Sequence, residues 1–227
     1  KNGFDGPRTV FEGRHGFFFG FADPSITPNF GHITDGLGET WRMTALAFKP
    51  YACGTMCQPF VDCAVRLARD GVDPDRVAEI VCKIGEGTVH RLWEPLAEKR
   101  RPTTRYSAKF SVPYCIAAGF VDSTAGLDQF TDARIADPRI LALAAKIGYE
   151  IDPENEYPAN YSGHLRVTMT DGAVHEVEQP HLRGGARQPL ANDELRAKYR
   201  ANAAIGEVSD ELAAELEELT GIDIELD

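Results

Sequence analysis

Leu165-Arg166-Val167-Thr168-Met169-Thr170, then Asp171-Gly172, then Ala173-Val174-His175-Glu176-Val177 is the stretch that points to a sheet. Two strand-like runs meet at an Asp-Gly pair, which supplies the two positive φ angles of a tight turn, so the segment predicts two antiparallel strands. Upstream, Phe60, Ala64, Leu67 and Ala68 recur at helical spacing and stop at Asp70-Gly71, a helix with a glycine end. Asp73-Pro74 opens a turn, after which Ile80, Cys82 and Ile84 alternate with Val81 and Lys83 as a short strand does. Helix and strand therefore follow each other in this half of the chain.

Ser111 to Asp122 is mostly apolar and reads as a buried helix. Asp137-Pro138 combines an N-cap with a proline at the first helical position, and the apolar run Ile140 to Ile147 closes at Gly148, which predicts another helix. Beyond the glycine-rich stretch Arg183 to Gly185, Asn192 caps a helix running towards Ala204, and Ser209 caps one reaching about Leu219. The acidic run Glu211 to Glu218 reads as a solvated face of that last helix.

Residues 1–40 differ in character: eight of the 21 glycines and three of the prolines fall there, which predicts loops joining short helical pieces. Gly16 to Phe21 holds four phenylalanines and little local surface on which to bury them, so it is expected to pack on structure outside this chain. The pattern predicts an α+β domain inserted between helical segments, with boundaries near residues 45 and 190.

Composition narrows the function. The 227 residues are 43% apolar and 26% charged, and no apolar run approaches the roughly 20 residues that cross a bilayer, so a soluble protein without a membrane partner is expected. A net charge of −11 argues against nucleic acid, because neutralising phosphates takes clustered Lys and Arg. An acidic protein binds acidic ligands only by focusing a few cations in a cleft. Five cysteines, Cys53, Cys57, Cys63, Cys82 and Cys115, form no CxxC pair and no zinc spacing; buried thiols in a reducing cytoplasm are expected, with no metal.

Three segments could carry chemistry. Lys49, in Phe48-Lys49-Pro50-Tyr51-Ala52-Cys53-Gly54, stands in an apolar, glycine-rich setting just before a helix, which makes either an anion site or an ordinary surface lysine. His90 beside Arg91 offers proton transfer next to a carboxylate clamp; the plainer reading is a loop histidine bonded to backbone. Tyr106 to Ser111 adds Lys109 and two hydroxyls at a helix start. Covalent catalysis by Cys53 would require His90 to fold onto it. Gx4GK[ST], GxGxxG, GxSxG and HExxH are all absent from the sequence.

Lys49-Pro50-Tyr51-Ala52-Cys53-Gly54, His90-Arg91-Leu92-Trp93-Glu94-Pro95-Leu96 and Ala108-Lys109-Phe110-Ser111-Val112-Pro113-Tyr114, in that order, resemble the MmgE/PrpD family. Asp171-Gly172, Gly185, Pro189-Leu190 and Glu194-Leu195 with Lys198 fit the C-terminal region of that family. The resemblance covers nearly this whole chain but only the C-terminal half of a member. It implies a small α+β lid, residues 45–190, inserted into a larger all-α domain whose end is 1–44 and whose returning helices are 191–227.

The activity so implied is dehydration, decarboxylation or epimerisation of a small di- or tricarboxylic acid in the cytoplasm. It proceeds by proton abstraction next to a carboxylate, without metal or organic cofactor, in an oligomer. The resemblance assigns Lys49 to stabilising carboxylate and enediolate charge, and His90 to proton donation or substrate contact. Substrate contacts fall on Tyr51, Cys53, Gln58, Arg91, Lys109 and Ser111. Where relatives often carry histidine after the lysine, this chain has Gly54 and Gln58. The acidic residue, histidines and further lysine of the family's helical domain would lie upstream of Lys1, so the partner implied is an upstream helical half, on another chain or a missing segment. The alternative is a non-catalytic module for dimerisation or carboxylate binding.

Overall fold

Helix punctuation sets most of the secondary structure in the computed structural model, which describes residues 9–14, 16–23, 25, 27, 29–41, 43 and 46–219. The chain divides into two compact units, Lys1–Thr44 and Ala45–Asp227. In the first, α1 (Phe17–Phe21) and α2 (Gly31–Thr34) are short helices joined by loops. Phe18 packs edge-on against Phe17 and Phe30, at 5.5 and 5.3 Å between ring centroids, while Phe17, Phe19 and Phe21 remain exposed.

The second unit is α+β. Its α3 (Gln58–Arg69) carries a proline in its first turn, buries Phe60, Val61, Cys63, Ala64, Val65 and Leu67, and ends at Asp70, with Gly71 at φ +83°. Strand β1 (Val77–Ile84) follows, then α4 (Val89–Leu92), α5 (Leu96–Arg100) and α6 (Arg105–Ala108). Next come α7 (Val112–Asp122), α8 (Asp132–Ile135) and α9 (Pro138–Ala144). β2 (Ile147–Ile151), β3 (Gly163–Met169) and β4 (Val174–Gln179) complete the sheet, and α10 (Asn192–Ile205) and α11 (Asp210–Leu219) close the described chain.

The sheet runs β2-β1-β3-β4. β1 is parallel to β2, with Ile80 opposite Ile147, and antiparallel to β3, with Ile80 opposite Val167. A parallel pair needs a long crossover, and the helices between β1 and β2 supply it. Helix α3 packs against β3, β4 and α7. Every residue of α7 from Val112 to Phe120 is buried, which makes it the central helix of the unit. Trp93 is enclosed between Phe60 and Tyr149, at 5.8 and 5.1 Å between centroids. All five cysteines are free and buried.

Three local expectations shift. The apolar run 140–147 is not one helix: α9 stops at Ala144, and Ile147 and Gly148 belong to β2. Tertiary pairing decides this, because Ile80 N–H donates to the Lys146 carbonyl at 3.0 Å and the Arg100 guanidinium donates twice to the Ile147 carbonyl, at 2.9 and 2.7 Å. In the hairpin, Gly172 alone takes a positive φ, +87°, and its N–H donates to the Met169 carbonyl, so the loop is one residue longer than a two-residue turn. Asn192 is the first residue of α10 rather than its cap; the Glu194 carboxylate accepts the Ala191 N–H at 3.1 Å instead. Among the described residues no helix is long and apolar enough to cross a membrane.

Candidate functional site

The segment 48–54, which carries Lys49, has no regular secondary structure and is held by hydrogen bonds from other parts of the chain. Phe48 N–H donates to the Gly184 carbonyl at 2.9 Å, Ala52 N–H to the Ala125 carbonyl at 2.9 Å, and Gly54 N–H to the Lys109 carbonyl at 2.8 Å. Gly184 is required at the first of these. It sits at φ +89°, and a Cβ there would stand 1.9 Å from the Phe48 carbonyl oxygen. Lys49 is exposed, and its Nζ donates to the Cys53 carbonyl at 3.4 Å.

Gln58, at the start of α3, is wholly buried beneath this segment. Its Oε1 accepts the Tyr51 N–H at 2.9 Å, and its Nε2 donates to the carbonyls of Tyr51 and Cys53 at 3.1 and 3.0 Å, with the Cys53 sulfur at 3.3 Å. Both amide hydrogens and the carbonyl are thus occupied by backbone. Beside it lie Cys53, Cys57 and Cys115; the Cys57 thiol donates to the Lys109 carbonyl at 3.8 Å and the Cys115 thiol to the Ala108 carbonyl at 3.4 Å. The Cys115 and Cys53 contacts hold Cys57 below the ordinary thiol range, and the ammonium groups of Lys99 and Lys49 add to that; burial pushes Cys115 above it.

A second network stands behind Tyr51. Its hydroxyl donates to Asp62 Oδ1 at 2.8 Å and accepts from Arg183 Nη2 at 3.1 Å, and Arg183 Nε donates to the same Asp62 oxygen at 2.7 Å. The guanidinium also pairs with Glu194 of α10 and lies 5.6 Å from the centre of the Tyr51 ring. Burial raises the Asp62 carboxyl above its usual value while Arg183 pulls it back, and burial followed by the Asp62 charge raises the Tyr51 phenol. Asp62 Oδ2 is buried with no hydrogen-bond partner. A cavity of about 380 Å³ opens next to this network, lined by Pro50, Tyr51, Arg69, Arg183 and Lys198 among others.

Of the eight expected site residues, the structure brings Lys49, Tyr51, Cys53 and Gln58 together, with the backbone of Lys109 beside them, and gives the side chains of Lys109, Ser111, His90 and Arg91 other surroundings. Lys49, Tyr51, Cys53 and Gln58 form the segment and its anchor, and the Lys109 carbonyl binds Gly54. Lys109 Nζ itself lies 5.7 Å from the Phe130 ring centre. Ser111 is fully buried as the N-cap of α7: its Oγ accepts the Tyr114 N–H at 3.1 Å and donates to the Lys99 carbonyl. Lys99 Nζ in turn donates to the carbonyls of Arg91 and Phe110 at 2.7 and 2.9 Å, tying α4 to the 108–111 turn. His90 and Arg91 are exposed on α4, and among the described residues no hydrogen bond or ion pair joins the His90 ring to the Lys49 segment or to Cys53.

Lys49 lies at the surface and does not line the cavity; Pro50, Tyr51 and Ala52 do. Asp62 and Arg183 had no expected role. Asp62 carried a signal, an acidic residue within the apolar run of α3, whereas Arg183 showed only as a neighbour of two glycines. Among the described residues no group of three or more His, Cys, Asp or Glu side chains is arranged to hold a metal ion.

A family model described as the MmgE/PrpD C-terminal domain matches residues 51–220. Among curated proteins, the chain is 26% identical over 195 residues to a cis-aconitate decarboxylase of Aspergillus terreus (strain NIH 2624 / FGSC A1156), covering 79% of this chain and 38% of that protein. It is 27% identical over 207 residues to another from Aspergillus terreus, covering 84% and 40%, and 24% identical over 169 residues to that of Mus musculus, covering 70% and 33%. The chain therefore spans well under half the length of these relatives.

Proposed function

The chain belongs to the MmgE/PrpD family, and we propose that it forms the C-terminal, lid-bearing half of a cofactor-independent lyase or isomerase. Its substrate is a small di- or tricarboxylic acid, from which a proton is removed next to a carboxylate, with loss of water or carbon dioxide or with reprotonation to follow. Residues 45–190 are the lid, and 1–44 and 191–227 belong to a helical domain. An upstream helical half, on another chain or in a segment outside these residues, brings the base, and the working form is a cytoplasmic oligomer. Three relatives bearing the name cis-aconitate decarboxylase support a decarboxylating member.

One observation carries the reading: Lys49 presents an ammonium at the surface from a segment pinned by Gly184, Ala125, Lys109 and Gln58. Removing a proton beside a carboxylate spreads negative charge onto its oxygens as an enediolate. A preorganised cation facing those oxygens lowers the barrier, since it need not reorganise as charge develops. His90, exposed on α4, serves as proton donor or substrate contact once the other half is in place. With Gln58 engaged by backbone and glycine at position 54, no imidazole stands beside Lys49 in this segment, so the base comes from the helical domain.

The test is reconstitution. The chain mixed with its upstream half is offered citrate-like and aspartate-like acids while products are followed by NMR, and turnover of one of them supports the proposal. A stable homo-oligomer of this chain in native mass spectrometry, with no turnover on adding the other half, supports the non-catalytic module.

A further inference from the structure

Among the described residues the Lys49 ammonium has one hydrogen-bond acceptor, the Cys53 carbonyl, and that carbonyl is also held from below by Gln58 Nε2 at 3.0 Å. The same amide fixes both backbone groups of Tyr51, at 2.9 and 3.1 Å, and it is fully buried. A single side chain thereby fixes both backbone groups of Tyr51 and the Cys53 carbonyl, while the Ala52 N–H between them is held by the Ala125 carbonyl. An apolar residue of similar length would take away the Gln58 partner of the Tyr51 N–H and of the Tyr51 carbonyl, and would leave the Cys53 carbonyl held by the Lys49 ammonium without its support from Gln58. We infer that Gln58 is a positioning residue for Lys49: it fixes the Cys53 carbonyl that the ammonium engages, and so sets where positive charge stands over the substrate carboxylate. This rests on the reading of Lys49 as the cation of the site. Misplacing a reacting group by about 1 Å can slow catalysis by about a hundredfold, so loss of the amide is expected to act on kcat.

The test uses the reconstituted assembly and three variants, Gln58→Met, Gln58→Glu and Lys49→Met, with kcat and KM measured separately and exchange of the Tyr51 amide followed by NMR. Gln58→Met should lower kcat at least about tenfold, change KM by less than about threefold, and speed Tyr51 amide exchange at least about tenfold. Gln58→Glu offers an independent readout. Its buried carboxyl, when protonated, restores both an acceptor for the Tyr51 N–H and a donor for the Cys53 carbonyl, so its kcat relative to the parent should recover as pH falls. This variant carries the test alone if Gln58→Met does not fold. Parental kcat in folded Gln58→Met, or a Gln58→Glu deficit that does not change with pH, overturns the inference while a slow Lys49→Met keeps the reading of the site. Parental turnover in Lys49→Met overturns that reading and the inference with it.

Discussion

Arg183 donates from Nε to Asp62 Oδ1 at 2.7 Å, across 121 positions of sequence, and the carboxylate side chain is only 6% exposed. Through the same guanidinium, Tyr51 and Glu194 are joined, so the floor of the Lys49 segment, α3 and α10 share one ionic centre. Removing one partner of a buried pair leaves the other charge uncompensated. Arg183→Ala should therefore destabilise the unit by about 3 kcal/mol in urea unfolding. Arg105→Ala, which breaks the exposed pair with Asp132, should have little effect. Equal effects of the two substitutions would remove the special role of Arg183.

Ser111 closes the first turn of α7 with one hydroxyl that accepts from Tyr114 and donates to the Lys99 carbonyl. Ser111→Ala should lower stability by about 1–2 kcal/mol, the usual loss for a helix cap, and leave KM of the reconstituted enzyme unchanged. A raised KM with unchanged stability would instead make Ser111 a substrate contact.

Burial pushes the Cys63 thiol up from 9.0 to about 12. The native state therefore keeps a proton that the unfolded chain releases above pH 9, and where the unfolded state binds fewer protons, stability falls as pH rises. This contribution is complete below pH 9 and is lost through the range up to about 12. Cys82 and Cys115, also raised by burial, act with the same sign. The unfolding free energy from urea titrations should fall between about pH 9 and about pH 10.5, by at most about 1.4 kcal/mol per pH unit for each thiol, and Cys63→Ala should flatten that slope. A slope unaltered in Cys63→Ala would assign the loss to other groups.

Phe19 and Phe21 are 71% and 80% exposed in the first unit, a large apolar area to leave in water. If they dock on the upstream helical half, Phe19→Ser with Phe21→Ser should raise the concentration of that half needed for half-maximal reconstitution by at least about tenfold. No change would detach this patch from assembly.

The elements readable from sequence were those with local punctuation. Gly71 ends α3, Asp137 caps α9 and Asp171-Gly172 marks the hairpin, each acting within a few residues of itself, whereas α7 showed as a continuous apolar run and its Ser111 cap emerged only in the structure. β2 was hidden because its identity depends on a parallel partner: Ile147 pairs with Ile80, and a short apolar run next to a helix carries no period of its own. The site behaved likewise. Lys49, Tyr51 and Cys53 were visible in the motif 49–54 and Gln58 as a departure from relatives, but that the Gln58 amide faces backbone instead of solvent is a property of the folded segment. The Arg183 network could not be read at all, since nothing local links a guanidinium among glycines to an aspartate in α3.

Lys49 carries the proposal, and the decisive comparison is the turnover of the reconstituted enzyme with Lys49→Met against the parent on the same acid. A fall of at least about tenfold, about 1.4 kcal/mol of barrier, is the expected result. Turnover equal to that of the parent, with the variant folded and assembled, would contradict it.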